Sequence, residues 1–346
     1  MKSQSLPRRK FIATTATLAT GALVGIPKAF SSPNILKYYG KELSVFKGVQ
    51  VGVITYSYRS MPDQSAEATL QYVLDSGISA IELMGGPAES FAGMPQSPID
   101  GRRMRSLRRK LRAGDITDDE KKEMTEMSDQ MDHYNATVRE WRSKAPLTKF
   151  EVLKKMYADA GVSIYCFKPG AFGTRNTDAE INYGMKAAKA LGASHVTLEH
   201  PSNDDRTLKL GQMAAKHNIR VAYHGHTQQT PTFWDTALDQ SDYNAMNIDV
   251  GHYVAAGYKD VLALLKEKNA RISSMHLKDR KNKENGQDNL PWGQGDTPIT
   301  EILKLMSTEG YKFPATVELE YKIPEGSDAV QEVRNCRDFC EKMLTS

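Results

Sequence analysis

The chain has 346 residues, 40% of them hydrophobic and 25% charged, the composition of an ordinary globular protein long enough to bury a large core. Its formal charge is +4, but residues 1–31 hold five basic residues and no acidic one, which leaves −1 for the rest. A net basic footprint for nucleic acid or for an anionic membrane is thereby excluded.

The N-terminus differs in kind from the remainder of the chain. Leu6-Pro7-Arg8-Arg9-Lys10-Phe11-Ile12 is a twin-arginine pattern, and a mildly apolar run from Phe11 to Ile26 with four threonines comes after it. That run is too short and too polar for a membrane span, which needs ~20 apolar residues. The pattern predicts a Tat-type export signal over 1–31, cleaved near Ser31, then a linker over 32–48 and a periplasmic mature protein. No cysteine lies near the cleavage site, so no membrane anchor is expected there. Cys336 and Cys340 stand four apart on an expected helix, poor disulfide geometry, so these two and Cys166 are expected as buried thiols.

From residue 49 onward, short apolar runs alternate with longer helical patterns. The runs are 49–56, 80–84, 162–167, 195–199, 220–224, 246–250, 272–277 and 315–319. Nearly continuous apolar strands are the mark of parallel sheet covered on both faces. Helix stops at Gly77, Gly192 and Gly310 punctuate the intervals. Eight such repeats predict a (β/α)8 TIM barrel over 49–346, an α/β fold. No G-x-G-x-x-G follows the first run to favour a doubly wound sheet. One interval is too long, and we expect a helical insertion there, about 86–147, on the C-terminal face of the barrel. It holds seven basic residues between Arg102 and Arg112, with acids at Asp115, Asp118, Asp119 and Glu120. Such charge density reads first as a solvated helical pair with internal salt links, and second as a lid or oligomer contact.

Active sites of TIM barrels lie where strands end. The second run carries Glu82, and the fourth ends in Glu199-His200. The fifth gives His224-Gly225-His226 and the sixth Asp249-Val250-Gly251-His252. The seventh gives His276-Leu277-Lys278-Asp279 and the eighth Glu318-Leu319-Glu320. Every run from the fourth to the eighth thus ends in a carboxylate or an imidazole against an apolar strand. Unpaired charge buried there would cost several kcal/mol, a cost that a bound cation removes. Residues two apart on a strand share a face, so His224 with His226, and Glu318 with Glu320, can both project into the mouth.

These pieces, together with Tyr223-His224-Gly225-His226, Ile248-Asp249-Val250-Gly251-His252 and Gly293-Gln294-Gly295-Asp296, resemble the xylose isomerase-like TIM barrel superfamily. That superfamily holds sugar and sugar-phosphate isomerases and epimerases, inosose dehydratases and endonuclease IV-type enzymes. The resemblance runs from about Val49 to the C-terminus, apart from the insertion. It implies one divalent ion held by Glu199, Asp249, His276 and Glu318. Glu199 and Glu318 double as the acid/base pair, and Glu320 is an alternative to Glu318. Three carboxylates and one imidazole form a hard donor set that favours Mn2+, with Mg2+, Co2+ or Zn2+ as alternatives. Glu82, His224, His226, His252 and Lys278 are candidate substrate contacts. Lys278 is suited to an enolate oxygen, and Lys168 is a weaker candidate. His195, at a strand start, is assigned to the barrel floor.

The resulting expectation is a metal-dependent sugar isomerase or epimerase that abstracts a proton beside a carbonyl through an enediolate. Export and the lack of a Gly-rich phosphate cradle point to an unphosphorylated substrate, with the Gly293–Gly295 turn as the one weak cradle candidate. The alternative is a lyase that eliminates the aglycone of a 3-keto-glycoside made by a sugar oxidoreductase upstream. Endonuclease IV-type repair needs more metal ligands and a basic face, and a non-catalytic sugar-binding protein does not need the acidic ligand set. A homo-oligomer is compatible with the sequence but not indicated by it.

Overall fold

The computed structural model describes residues 44–346. The expected export signal and most of the linker lie outside the described residues. The strands β1 (Val49–Ile54), β2 (Ala80–Met84), β3 (Ser163–Lys168), β4 (His195–Glu199), β5 (Arg220–His224), β6 (Asn244–Asp249), β7 (Ile272–Leu277) and β8 (Ala315–Val317) pair in parallel in that order. β8 pairs back onto β1, which closes the (β/α)8 barrel among the described residues. Four of the expected runs match their strands end to end. The others shift for local reasons. β8 stops at Val317 because the Leu319 N–H turns to the Ser57 hydroxyl at 3.0 Å. β6 starts two residues early and ends at Asp249, whose carboxylate caps the next helix. The barrel also begins before Val49: Val45–Phe46 pairs antiparallel with Val49–Gln50, so the end of the expected linker belongs to the barrel floor.

Helices follow the strands and are punctuated as their sequences dictate. Ser65 caps α1 (Ala66–Asp75) by accepting from the Ala68 N–H. Between β2 and β3 the chain forms α2 (Gly85–Phe91), α3 (Gly101–Ala113), α4 (Asp118–Ser143) and α5 (Leu147–Asp159). α6 (Asp178–Leu191) opens with a Thr177/Glu180 capping box and ends at Gly192 with φ 81°. Next come α7 (Asp204–His217), α8 (Asp235–Gln240), α9 (Val250–Ala255), α10 (Val261–Lys268), α11 (Ile299–Glu309) and α12 (Ala329–Thr345). Val196, Val221, Tyr223, Ile248, Met275 and Leu277 are buried in the apolar layer of the fold. Cys166, Cys336 and Cys340 are free and buried, as expected.

The α3–α4 pair is stitched by Arg103 to Glu123 and by Lys110 to Glu120, the internal salt links that its charge pattern predicts. One of its arginines is not solvated. Arg142 of α4 is buried between Glu89 of α2 at 3.1 Å and Glu180 of α6 at 3.2 Å, and it donates to the Gly170 carbonyl. The Tyr183 hydroxyl donates to Glu89 as well. Removing the arginine would strand two carboxylates in low dielectric. Arg142→Leu is therefore expected to cost about 3–5 kcal/mol in urea unfolding. Lys155→Ala, which breaks the exposed Lys155–Asp159 pair, should cost less than about 1 kcal/mol. Equal losses would show that Arg142 is not the anchor of α4.

The interior of the barrel is polar in places. His195, placed at the floor by its position in β4, is fully buried with its Nε2 2.9 Å from the Ser274 hydroxyl. Burial is the main cause that pulls its pKa from the ordinary 6.5 to about 4. The unfolded chain therefore binds a proton more readily than the folded one, so stability is full above about pH 6.5 and falls as pH drops toward 4. The loss across that window should reach about 3 kcal/mol. His195→Gln keeps a donor at the same place without the titration. Its urea midpoint should fall less than that of the unaltered chain between pH 7 and 4.5, and parallel losses would rule His195 out as the cause.

Candidate metal centre

The pleat sorts strand residues into two sets, and one set meets inside the barrel. On β7 and just beyond it these are Ser274, His276 and Lys278; on β6, Asn247 and Asp249; on β4, His195, Thr197 and Glu199; beyond β8, Glu318 and Glu320. Cross-strand register pairs Glu199 with His224 and Asp249 with His276. An irregularity at Ile81/Glu82 and another at Met246/Asn247 interrupt the ladder beside two of these positions, a common device for re-aiming side chains.

His276 is fully buried between two carboxylates, with Nε2 2.9 Å from Glu82 and Nδ1 2.9 Å from Glu318. Burial alone would lower its pKa, but Glu318 and Glu82 outweigh it and hold it at about 10. The buried ammonium of Lys278 lies 2.9 Å from Asp249, 2.8 Å from Glu318 and 2.7 Å from Glu320. These carboxylates overcome its desolvation and raise its pKa. Glu318 is correspondingly ionised: burial pushes its pKa up, but Lys278 and His276 hold it well below the carboxylate range. Gly251 makes this packing possible, since a Cβ there would collide with the Lys278 side chain. Asp249 is oriented by its own helix. Its Oδ1 accepts from the His252 N–H at the start of α9, which leaves Oδ2 facing the cluster.

His224, Asp249, His276 and Glu318 each place a donor atom within 4.8 Å of the others. The set suits a divalent cation by its chemistry, since two imidazoles and two carboxylates are buried together, and the Lys278 ammonium 2.9 Å from Asp249 Oδ2 is the cation already beside it.

The expected site residues fall into three groups. Asp249, His276, Glu318, Lys278 and His224 converge. Glu199 stands half-exposed at the rim, outside the four-donor set, with Lys168 at 3.0 Å and His226 at 3.6 Å. His226 is exposed beside it. His252 is wedged between Lys278 at 3.2 Å and Arg280, and burial followed by these two cations takes its pKa down to about 2. Glu82, expected at a sugar hydroxyl, is instead fully buried behind His276, its second oxygen taken by the Thr197 hydroxyl. Glu320 shares Lys278 with Glu318 but is less buried and has no contact with His276. The Gly293–Gly295 turn is not free to cradle a phosphate, because its three N–H groups all donate to Asp279 at 2.8–3.1 Å.

Three residues were not singled out from the sequence. Asn247 accepts from His224 Nδ1 at 2.7 Å and donates to Ser274 at 2.6 Å, and Thr197 supports Glu82. Each lies two residues before a residue already chosen, so strand parity alone would have found them. With His195 and Ser194 they extend a line of hydrogen bonds from the mouth to the floor: His224, Asn247, Ser274, His195, Ser194.

The comparisons with known proteins bear on the barrel that carries these residues. The sequence model described as xylose isomerase-like TIM barrel matches residues 130–339. No curated protein sequence matches the chain. Among solved structures, a probable 3-DHS dehydratase involved in petrobactin synthesis from Bacillus anthracis has a TM-score of 0.55 at 15% identity, over 86% of this chain and 99% of that one. An L-ribulose 3-epimerase has a TM-score of 0.54 at 12% identity, over 86% and 95%. The IolI protein with a bound zinc atom has a TM-score of 0.53 at 15% identity, over 86% and 98%. At such identities the likeness shows the fold, and the matched residues carry the rest: this chain belongs to the xylose isomerase-like TIM barrel family.

Proposed function

We propose that the protein is a metal-dependent isomerase or epimerase that moves a proton beside the carbonyl of an unphosphorylated sugar. The reading rests chiefly on the convergence of buried donor atoms from His224, Asp249, His276 and Glu318. Mn2+ is the first choice of ion, with Co2+, Mg2+ and Zn2+ as alternatives. Asp249, His276 and Glu318 would hold it, with Glu199 as the fourth ligand that the family resemblance implies. Such an ion would polarise the carbonyl and a neighbouring hydroxyl of the substrate.

The side chains supply the remaining chemistry. Glu82 accepts the Nε2–H of His276, and Nδ1, which faces Glu318, would give up its proton to an ion bound there. Glu199 and Glu318 are the pair that takes the proton and returns it. Lys278, a fixed cation 2.8 Å from Glu318, is placed to stabilise an enolate oxygen. His226 would meet a sugar hydroxyl at the rim, whereas His252 is held by Lys278 and Arg280. The occupied Gly293–Gly295 turn supports a substrate without phosphate. The twin-arginine segment supports a periplasmic setting, where free sugars and glycosides are at hand. Elimination from a 3-keto-glycoside, fed by an upstream sugar oxidoreductase, starts from the same enolate and is the second reading. The dehydratase among the structural neighbours keeps it in view.

The test is proton exchange. The Mn2+-loaded protein is incubated in D2O with free ketoses and aldoses and, separately, with 3-keto-glucosides, and both are followed by NMR. Deuterium entering a free sugar alongside a new epimer or isomer is the expected result, and sugar phosphates should be poorer substrates. Release of aglycone with free sugars untouched would transfer the assignment to a lyase. No exchange in either set would end the proton-abstraction reading.

Two further outcomes follow from the site. Glu318→Gln should lower turnover by about 10²–10⁴-fold, the usual contribution of a positioned acid/base group. Chelation of the ion should abolish exchange, and Mn2+ should restore it. Activity that survives chelation would show that the cluster works without metal.

A further inference from the structure

The family resemblance gives Glu199 two tasks, metal ligand and proton carrier. We propose that in this chain the tasks are divided: His224 supplies the fourth protein donor to the ion, and Glu199 is left free at the rim to transfer protons. The inference deepens the metal-dependent reading and rests on it.

Position is the first argument. A ring nitrogen of His224 lies with one donor atom each of Asp249, His276 and Glu318 inside one 4.8 Å group, and Glu199 is not part of it. The His224 and His276 rings are 4.8 Å apart, centre to centre. Glu199 and His224 are register partners on adjacent strands, so they stand at the same height in the barrel. Their side chains nevertheless differ: His224 is buried, whereas the Glu199 carboxylate turns outward to Lys168 and His226.

Protonation is the second argument. A histidine ligand must present a bare nitrogen, which requires its other nitrogen to carry the proton. Asn247 donates its Nδ2–H to Ser274, so its carbonyl oxygen is the atom that faces His224 Nδ1. That oxygen can only accept, so Nδ1 carries the proton and Nε2 keeps its lone pair. Ser274 is in turn held by His195. Asn247 is thus a positioning residue for the ligand, buried and fixed from below. The neighbouring histidine triad, His224 with His226 and His252, has close nitrogens too, but His252 faces the cations Lys278 and Arg280.

Chemistry follows from the division. A donor set of two imidazoles and two carboxylates shifts preference toward Co2+ and Zn2+ relative to a three-carboxylate set. An unligated Glu199 carboxylate takes the C–H proton and becomes the acid, while the C–H electron pair moves to the carbonyl oxygen as the enolate. Glu199 then returns that proton to carbon as the enolate pair forms the new C–H bond, which restores the carbonyl.

The test uses Mn2+ alone on the full chain. Electron–nuclear double resonance on protein with ¹⁵N-labelled histidine counts coordinated imidazoles without any substitution. Two are expected, and one would overturn the assignment. Titration followed by the free-Mn2+ resonance gives the second readout. His224→Ala should weaken Mn2+ binding by about tenfold or more, whereas Glu199→Gln should change it less than about threefold. The reverse pattern would overturn the proposal. Asn247→Leu should weaken Mn2+ binding, and Asn247→Asp, which still accepts from Nδ1, should restore it. Glu199→Gln should also lose D2O exchange while retaining Mn2+. If two imidazoles coordinate but the unaltered protein exchanges no sugar, the sugar reading and the Glu199 role fall while the ligand assignment stands.

Discussion

A lysine ammonium enclosed by three carboxylates governs the mouth of this barrel. Lys278 touches Asp249, Glu318 and Glu320, and His276 is clamped between Glu318 and Glu82. Each ion alone would be costly to bury, by several kcal/mol even after relaxation. Together they balance, and every nearby choice serves that balance. Gly251 is small so that the lysine stem can pass. Asp249 caps α9 with one oxygen and keeps the other for the cluster. The carboxylates outnumber the lysine, so an added cation would meet acidic groups already gathered around one point.

Support for the cluster comes from beneath. Thr197 holds Glu82, Glu82 holds His276, and the line through Asn247, Ser274 and His195 holds His224. None of these partners reaches solvent. Their hydrogen bonds fix how each ring is turned, and in a low dielectric such bonds are both stronger and harder to lose. The rim is built on the opposite principle. Glu199 and His226 keep water contact and looser partners, as groups that must exchange protons with a substrate require.

Most of this architecture was legible in the sequence, because parallel strands write themselves as apolar runs and place their last residues at the mouth. Asp249, His276, Lys278 and Glu318 could be picked out on those grounds. What could not be read is which way a side chain turns once it is there. Glu199 and His224 occupy equivalent heights on adjacent strands, and only Lys168, His226 and Asn247, remote in sequence, send one outward and the other inward. Glu82 looked like a substrate contact because nothing in its strand reveals that Thr197 and His276 close over it. Arg142 was hidden for a related reason. It lies in a segment whose charges are otherwise solvated, and its partners Glu89 and Glu180 belong to two other helices. The Gly293–Gly295 turn has the composition of an anion cradle, and its anion is the protein's own Asp279.

The buried line from His224 to His195 bears on how such a barrel can diverge. Its inner members Asn247 and Ser274 are each paired on both sides, so a change at one leaves a neighbour unpaired, at a cost on the order of 1–3 kcal/mol. A simultaneous exchange of several for apolar groups of similar volume escapes that cost. Single-site scanning would therefore score Asn247, Ser274 and His195 as intolerant one by one, although the set as a whole is replaceable. Substitutions along this line are epistatic, and lineages that rebuild the barrel axis would be expected to differ there in blocks rather than in isolated steps.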